Sequence, residues 1–109
     1  MKTGVIFIAE QGIDHHHGFT RMAMIDYANS INIDVLKSFT APVCTNGEYE
    51  DGYLDKCFNM IDEYNDKAPL DEKIRYFISS RIDVLSDFGD VDDILDAFEA
   101  RGIVVKTLN

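Results

Sequence analysis

The 109 residues contain no tryptophan, only two prolines and two cysteines, and no cluster of basic side chains. Each shortage excludes something. Cys44 and Cys57 have no Cys-x-x-Cys partner, so they offer neither a disulfide framework nor a cysteine zinc site. Both read as ordinary reduced thiols of a cytoplasmic protein. No apolar run approaches the roughly 18 residues that cross a bilayer. The opening "MKTGVIFIAEQG" has one lysine and no small-residue cleavage site, and reads as a first strand rather than a signal peptide. Gly4, Gly12 and Gly18 lie too far apart for a phosphate-cradling loop, and no cofactor is expected.

The shortage of positive charge excludes most. Ten Lys and Arg stand among twenty Asp and Glu, for a net charge of −10. Binding a nucleic-acid backbone draws its free energy from basic patches that displace counterions. Direct nucleic-acid binding is therefore not expected, nor is attraction to an anionic membrane. A protein partner, basic or uncharged, fits this charge better.

What is present is a core. Hydrophobic residues make up 46% of the chain, including seven Phe and five Tyr, so residues 1–109 read as one folded domain without linker or low-complexity segment. "GVIFIA" (4–9) is a short apolar run of the kind found in buried parallel strands. Phe19, Met22, Ile25 and Ala28 recur at helical spacing over 19–31, with Thr20 and Arg21 turned outward. "IDVLKSF" (33–39) reads as a second strand, and Pro42, Asn46 and Gly47 mark a loop after it. Leu54, Cys57, Phe58, Ile61 and Tyr64 form an amphipathic stripe over 52–65. "IRYFIS" (74–79) is the third strand, although its spacing through Leu85 also fits a helix. Asp90 or Val91 through Arg101 is a helix with acids in its first turn and Gly102 just beyond its end, and 103–108 is a last strand. The order β-α-β-α-β-α-β predicts a three-layer α/β/α domain around a mainly parallel four-stranded sheet. The tetrapeptide "IDVL" occurs at both 33–36 and 82–85, too short a repeat to indicate a duplicated domain.

Candidate chemistry is sparse. "GIDHHHG" (12–18) offers Asp14, His15, His16 and His17 as ligands for a divalent metal, the basis of a metal-dependent hydrolase reading. Consecutive side chains diverge, however, and a solvated loop suits them better. The string resembles the Asp-His-His box of a phosphoesterase family whose fold is much longer and needs further aspartate motifs, missing here. Ser79, Ser80 and Ser86 lie near the third strand's end without a histidine base beside them. Asp87, Asp90, Asp92, Asp93 and Asp96 read as a solvated acidic helix start rather than a magnesium site.

The stretch "IRYFISSRIDVLSDFGDVDDILDAFEARGIVVKTL" resembles the serine recombinase (resolvase/invertase) catalytic domain. In that family an apolar strand runs into Lys/Arg-Leu-Asp-Arg-Leu-x-Arg, then a helix ending Glu-x-x-Gly-Ile/Val, then a strand. Arg81, Ile82, Asp83 and Leu85 fall on the signature, and "FEARGIVVKTL" falls on the helix end and last strand. The first half of the chain is compatible with the same domain. The resemblance implies a resolvase-like fold, and its departures imply lost chemistry. The family's first strand ends Tyr-x-Arg-x-Ser, supplying the nucleophile and a phosphate-binding arginine, and the matching residues here are Phe7, Ala9 and Gln11. The two signature arginines fall at Val84 and Asp87, leaving Asp83 as the surviving charge, and a further arginine falls near Glu50. The family's dimerisation helix and DNA-binding domain would follow Asn109, so neither is expected. The expectation is a catalytically inactive domain acting through protein contacts and related to mobile elements, one form of which pairs with an active recombinase. The alternative is an acidic mimic of DNA that blocks a DNA-processing enzyme.

Overall fold

The computed structural model describes residues 2–9 and 17–108, with backbone alone at 17–20. Four strands alternate with three helices: β1 (Lys2–Ile8), α1 (His17–Ser30), β2 (Ile33–Thr40), α2 (Tyr53–Lys67), β3 (Ile74–Ser79), α3 (Val91–Ala100) and β4 (Val104–Thr107). Two 3-10 segments, Leu70–Glu72 and Ile82–Phe88, flank β3. The strands form one all-parallel sheet in the order β2-β1-β3-β4. The central position of β1 explains its unbroken burial from Thr3 to Ile8, since a strand covered on both faces reads as a continuous apolar run.

Alternation along β1 divides the core. Val5, Phe7 and Ala9 face α2 and α3, packing with Leu54, Cys57, Phe58, Ile61, Ile94 and Phe98. Ile6 and Ile8 face α1 and meet Met24 and Ala28. This is the expected three-layer arrangement. Gly4 fits here for a steric reason: a Cβ at this position would lie 2.9 Å from Ile33 Cγ2 and 3.0 Å from the Tyr76 Cβ.

The helices follow their sequence signals with one exception. On α2 the stripe Leu54, Cys57, Phe58 and Ile61 is buried, with Tyr64 partly so. On α3, Asp90 is the N-cap, its carboxylate accepting the Asp93 N–H at 3.1 Å. At the other end the Ile103 N–H reaches the Phe98 carbonyl and the Gly102 N–H the Glu99 carbonyl. That pair of bonds is a Schellman motif, with Gly102 in the left-handed region it requires. Arg101 then ties α3 to α2, donating to both Asp62 carboxylate oxygens while its guanidinium lies 4.4 Å from the Phe58 ring centroid. The exception is α1. Met22, expected inward, is 66% exposed, and the buried pair is Met24 and Ala28. At 3.6 residues per turn Met22 sits about 200° round the helix from Met24 and so faces solvent. The rest of the stripe holds, since Ala28 is buried and Ile25 packs partly buried against the same cluster, and Met24 takes the inward place that the spacing gave to Met22.

Candidate functional site

Because all four strands run in parallel, their C-terminal ends share one edge of the sheet, where α/β folds present their reactive groups. Phe7 pairs there with Phe39 on one side and Ser79 on the other, and Ser79 pairs with Thr107. The loop from β2 to α2 closes over this edge as a small hairpin, with an antiparallel bridge between Val43 and Tyr49. The 3-10 segment Ile82–Phe88 closes it from the β3 side.

Between these two covers lies an aromatic cluster. Phe7, fully buried, has its ring centroid 5.3 Å from Phe77, 5.4 Å from Phe88 in an edge-on arrangement, and 6.3 Å from Tyr53. Tyr49 lies 5.1 Å from Phe88. Centroid separations in this range are those of favourable aromatic pairs. Ala9 and Val84 are buried beside the same cluster. Thus three of the positions that the family resemblance assigns to catalysis or its neighbourhood are core residues. The other three described ones are charged and outside: Asp83 and Asp87 are exposed, and Glu50 is half-buried.

Above the aromatics is a cleft of about 590 Å³ lined by Glu48, Tyr49, Glu50, Asp51, Gly52, Asp87 and Phe88. Four of these seven residues carry carboxylates and none is a cation. Two cations pair with carboxylates at its margin: Lys56 with Glu50 at 3.0 Å, and Arg81 with Asp83 at 3.4 Å. A phosphodiester entering here would meet like charge without compensating Lys or Arg.

Two of the three serines near the third strand are occupied. Ser79 is fully buried and its hydroxyl donates to the Arg81 carbonyl, while Ser86 donates to the carbonyl of Asp83. Tyr53 and Cys57 are neighbours one turn apart on α2. Burial pushes the Cys57 thiol up to about 12, and burial together with neighbouring Cys57 and Glu50 pushes the Tyr53 phenol up to about 12. Both stay neutral near pH 7, and a protonated, enclosed thiol is not a nucleophile. Gln11, Asp14, His15 and His16 lie outside the described residues. So does the side chain of His17, whose backbone begins α1. Among the described residues no group of three or more His, Cys, Asp or Glu side chains is placed to hold a metal ion. Nor is any helix among them long and apolar enough to cross a membrane.

Tyr49, Tyr53 and Phe88 are the site residues that sequence reasoning missed. Their signal was present in part, because each is an aromatic within three residues of a position matched to the family, Glu50 or Asp87. What no pattern showed is that Tyr53 and Phe88 meet Phe7, with Tyr49 behind Phe88.

No protein-family model matches the chain, and no curated protein matches it. Among solved structures, the fold is similar to the C-terminal catalytic domain of ISC1926 TnpA, an IS607-like serine recombinase. The two superpose with a TM-score of 0.71 at 15% sequence identity, covering 98% of this chain and 67% of that one. The chain therefore has the fold of a serine recombinase catalytic domain.

Proposed function

We propose that this domain keeps the recombinase-like scaffold without its phosphoryl-transfer chemistry, and acts through contact with a protein partner. The observation that carries this reading is the strand-end site itself, an aromatic cluster around Phe7 beneath a rim of Glu48, Glu50, Asp51 and Asp87. The family resemblance places a serine nucleophile and several phosphate-binding arginines around this edge. Attack on a DNA phosphate needs cations arranged about the charge that develops in the transition state. A rim of carboxylates works against that charge, and Phe7, Ala9 and Val84 contribute none. The partner that suits such a surface is a basic protein, and an active recombinase of the same fold is the specific form we favour.

The test is a covalent-adduct assay with duplex DNA at low salt, run beside affinity purification of the tagged chain from its native cell. The expected result is no protein–DNA adduct and recovery of a recombinase. A serine-linked DNA adduct would overturn the loss of chemistry. Recovery without any recombinase, and unchanged recombination on deleting the chain, would overturn the specific partner.

A second reading is favoured by one observation. Asp83, Asp87, Asp90, Asp92, Asp93, Asp96 and Glu99 are all exposed along the 3-10 segment and α3. Such a surface suits a mimic of the DNA backbone. It predicts binding to a DNA-processing enzyme that competes with DNA and weakens steeply as salt rises.

A further inference from the structure

The hairpin between β2 and α2 carries a reactive pair that the proposed function does not use. Asn46 is the one asparagine in the chain followed by glycine. Both residues are exposed at the hairpin tip, and the space around the Gly47 Cα is open, with no atom within 4 Å of where a Cβ would lie. Gly47 has a φ of +83°, in the left-handed region, so the tight turn itself selects glycine there. The Asn46 side chain is held rather than free. Its Oδ1 accepts the Glu48 N–H at 3.0 Å, and its Nδ2 donates to Glu48 Oε2 at 3.4 Å. The first bond draws electron density from the side-chain carbonyl, making Cγ more electrophilic. The second sets a carboxylate beside the nitrogen that would leave.

We infer that Asn46 is a site of spontaneous modification, in which the Gly47 backbone nitrogen attacks Asn46 Cγ with loss of ammonia. The bond from Gly47 N to Cγ forms, the bond from Cγ to Nδ2 breaks, and the amide proton leaves with the departing ammonia. The succinimide then takes up one water. Opening at Cγ gives aspartate, and opening at the backbone carbonyl gives isoaspartate. No oxidant or further reactant enters. The bond from the Gly47 N–H to the Cys44 carbonyl, 2.9 Å, must open first, so the rate reports local opening of the turn. The other described asparagines precede larger residues, and Asn65 is also pinned by bonds through both side-chain heteroatoms to the backbone of Ile74.

The consequence falls on the cleft. The product adds a carboxylate two residues from Glu48, on a rim that already carries four. Isoaspartate also lengthens the main chain inside the turn that closes the Val43–Tyr49 bridge, and so loosens the strut holding Tyr49 against Phe88.

The experiment is prolonged incubation of the folded protein at mildly alkaline pH, followed by peptide mapping with enzymatic detection of isoaspartate. A synthetic peptide spanning 44–49 and the Asn46→Gln variant run alongside. The expected result is that the fragment containing Asn46 exchanges ammonia for water before those containing Asn29, Asn32, Asn59 or Asn65. The conversion should be lost in Asn46→Gln, and the converted fraction should exchange the Cys44 and Glu50 amide hydrogens, which bond across the hairpin to Glu48 and Pro42, faster. An Asn46 that stays intact in the folded protein while the peptide converts would overturn the inference. Unchanged exchange at Cys44 and Glu50 would overturn its coupling to the cleft.

Discussion

The same four residues, Ile-Asp-Val-Leu, build a strand at 33–36 and a 3-10 turn at 82–85. Their burial is nearly inverted. Ile33 is 2% exposed and Leu36 47%, whereas Ile82 is 42% exposed and Leu85 0%. In the first copy the chain lies along β1 and the sheet ladder sets its conformation. The second copy begins just past the end of β3, where the chain leaves the sheet and must turn back toward α3. Local chemistry agrees with that turn. The residues after the first copy are Lys37 and Ser38, but after the second they are Ser86 and Asp87, and Ser86 bonds back to the Asp83 carbonyl at 2.6 Å. Identical sequence thus takes the conformation that its neighbours can hydrogen-bond and bury.

Truncating the matched leucines is the strongest way to break this comparison. Leu85→Ala should cost about 2–5 kcal/mol, because it empties a fully enclosed site, while Leu36→Ala should cost under about 1 kcal/mol. Urea denaturation of both variants checks the contrast, and equal losses would mean that the second copy is not packed as described. The isoleucines should behave in reverse. Ile33→Ala should lose about 2–5 kcal/mol and Ile82→Ala under about 1 kcal/mol in the same measurement. Gly4→Ala sharpens the first copy further, since its Cβ would meet Ile33 Cγ2 and Tyr76; a loss of about 1–3 kcal/mol is expected. A neutral result there would show that β2 can slide away from β1. The aspartates should be nearly alike. Asp34→Ala and Asp83→Ala should each shift stability by no more than about 0.5 kcal/mol, because the Arg81–Asp83 pair is solvent-exposed.

The site shows the same division as the two tetrapeptides. That the strand-end rim would be acidic was legible, because Glu50 and Asp87 are there to be read. That Phe7 would sit under Phe88 and Tyr53 was not, since these residues come from three separate segments that only the closed fold brings together. Strand β2 gives a plainer case. Ile33 and Phe39 are six apart, a spacing that places both on one face of a regular strand. In the structure Ile33 packs under α1 and Phe39 under α2, because Leu36 is an extra residue against β1: Gly4 pairs with Val35 and Val5 with Lys37. A bulge of this kind switches faces partway along a strand and leaves no mark in the apolar pattern.

By itself, then, the sequence determined the alternation of strands and helices, the inward face of α2, the acidic first turn and glycine stop of α3, and the acidic character of the strand-end rim. These depend on local periodicity, on side chains bonding to nearby backbone, and on charge, all of which act over a few residues. Tertiary structure alone decided that Met24 rather than Met22 is buried on α1, where β2 changes sides, and that Phe7 closes the site with aromatics. Those outcomes depend on which distant segment offers a hydrogen-bonding edge or an apolar surface, and that is fixed only when the sheet assembles.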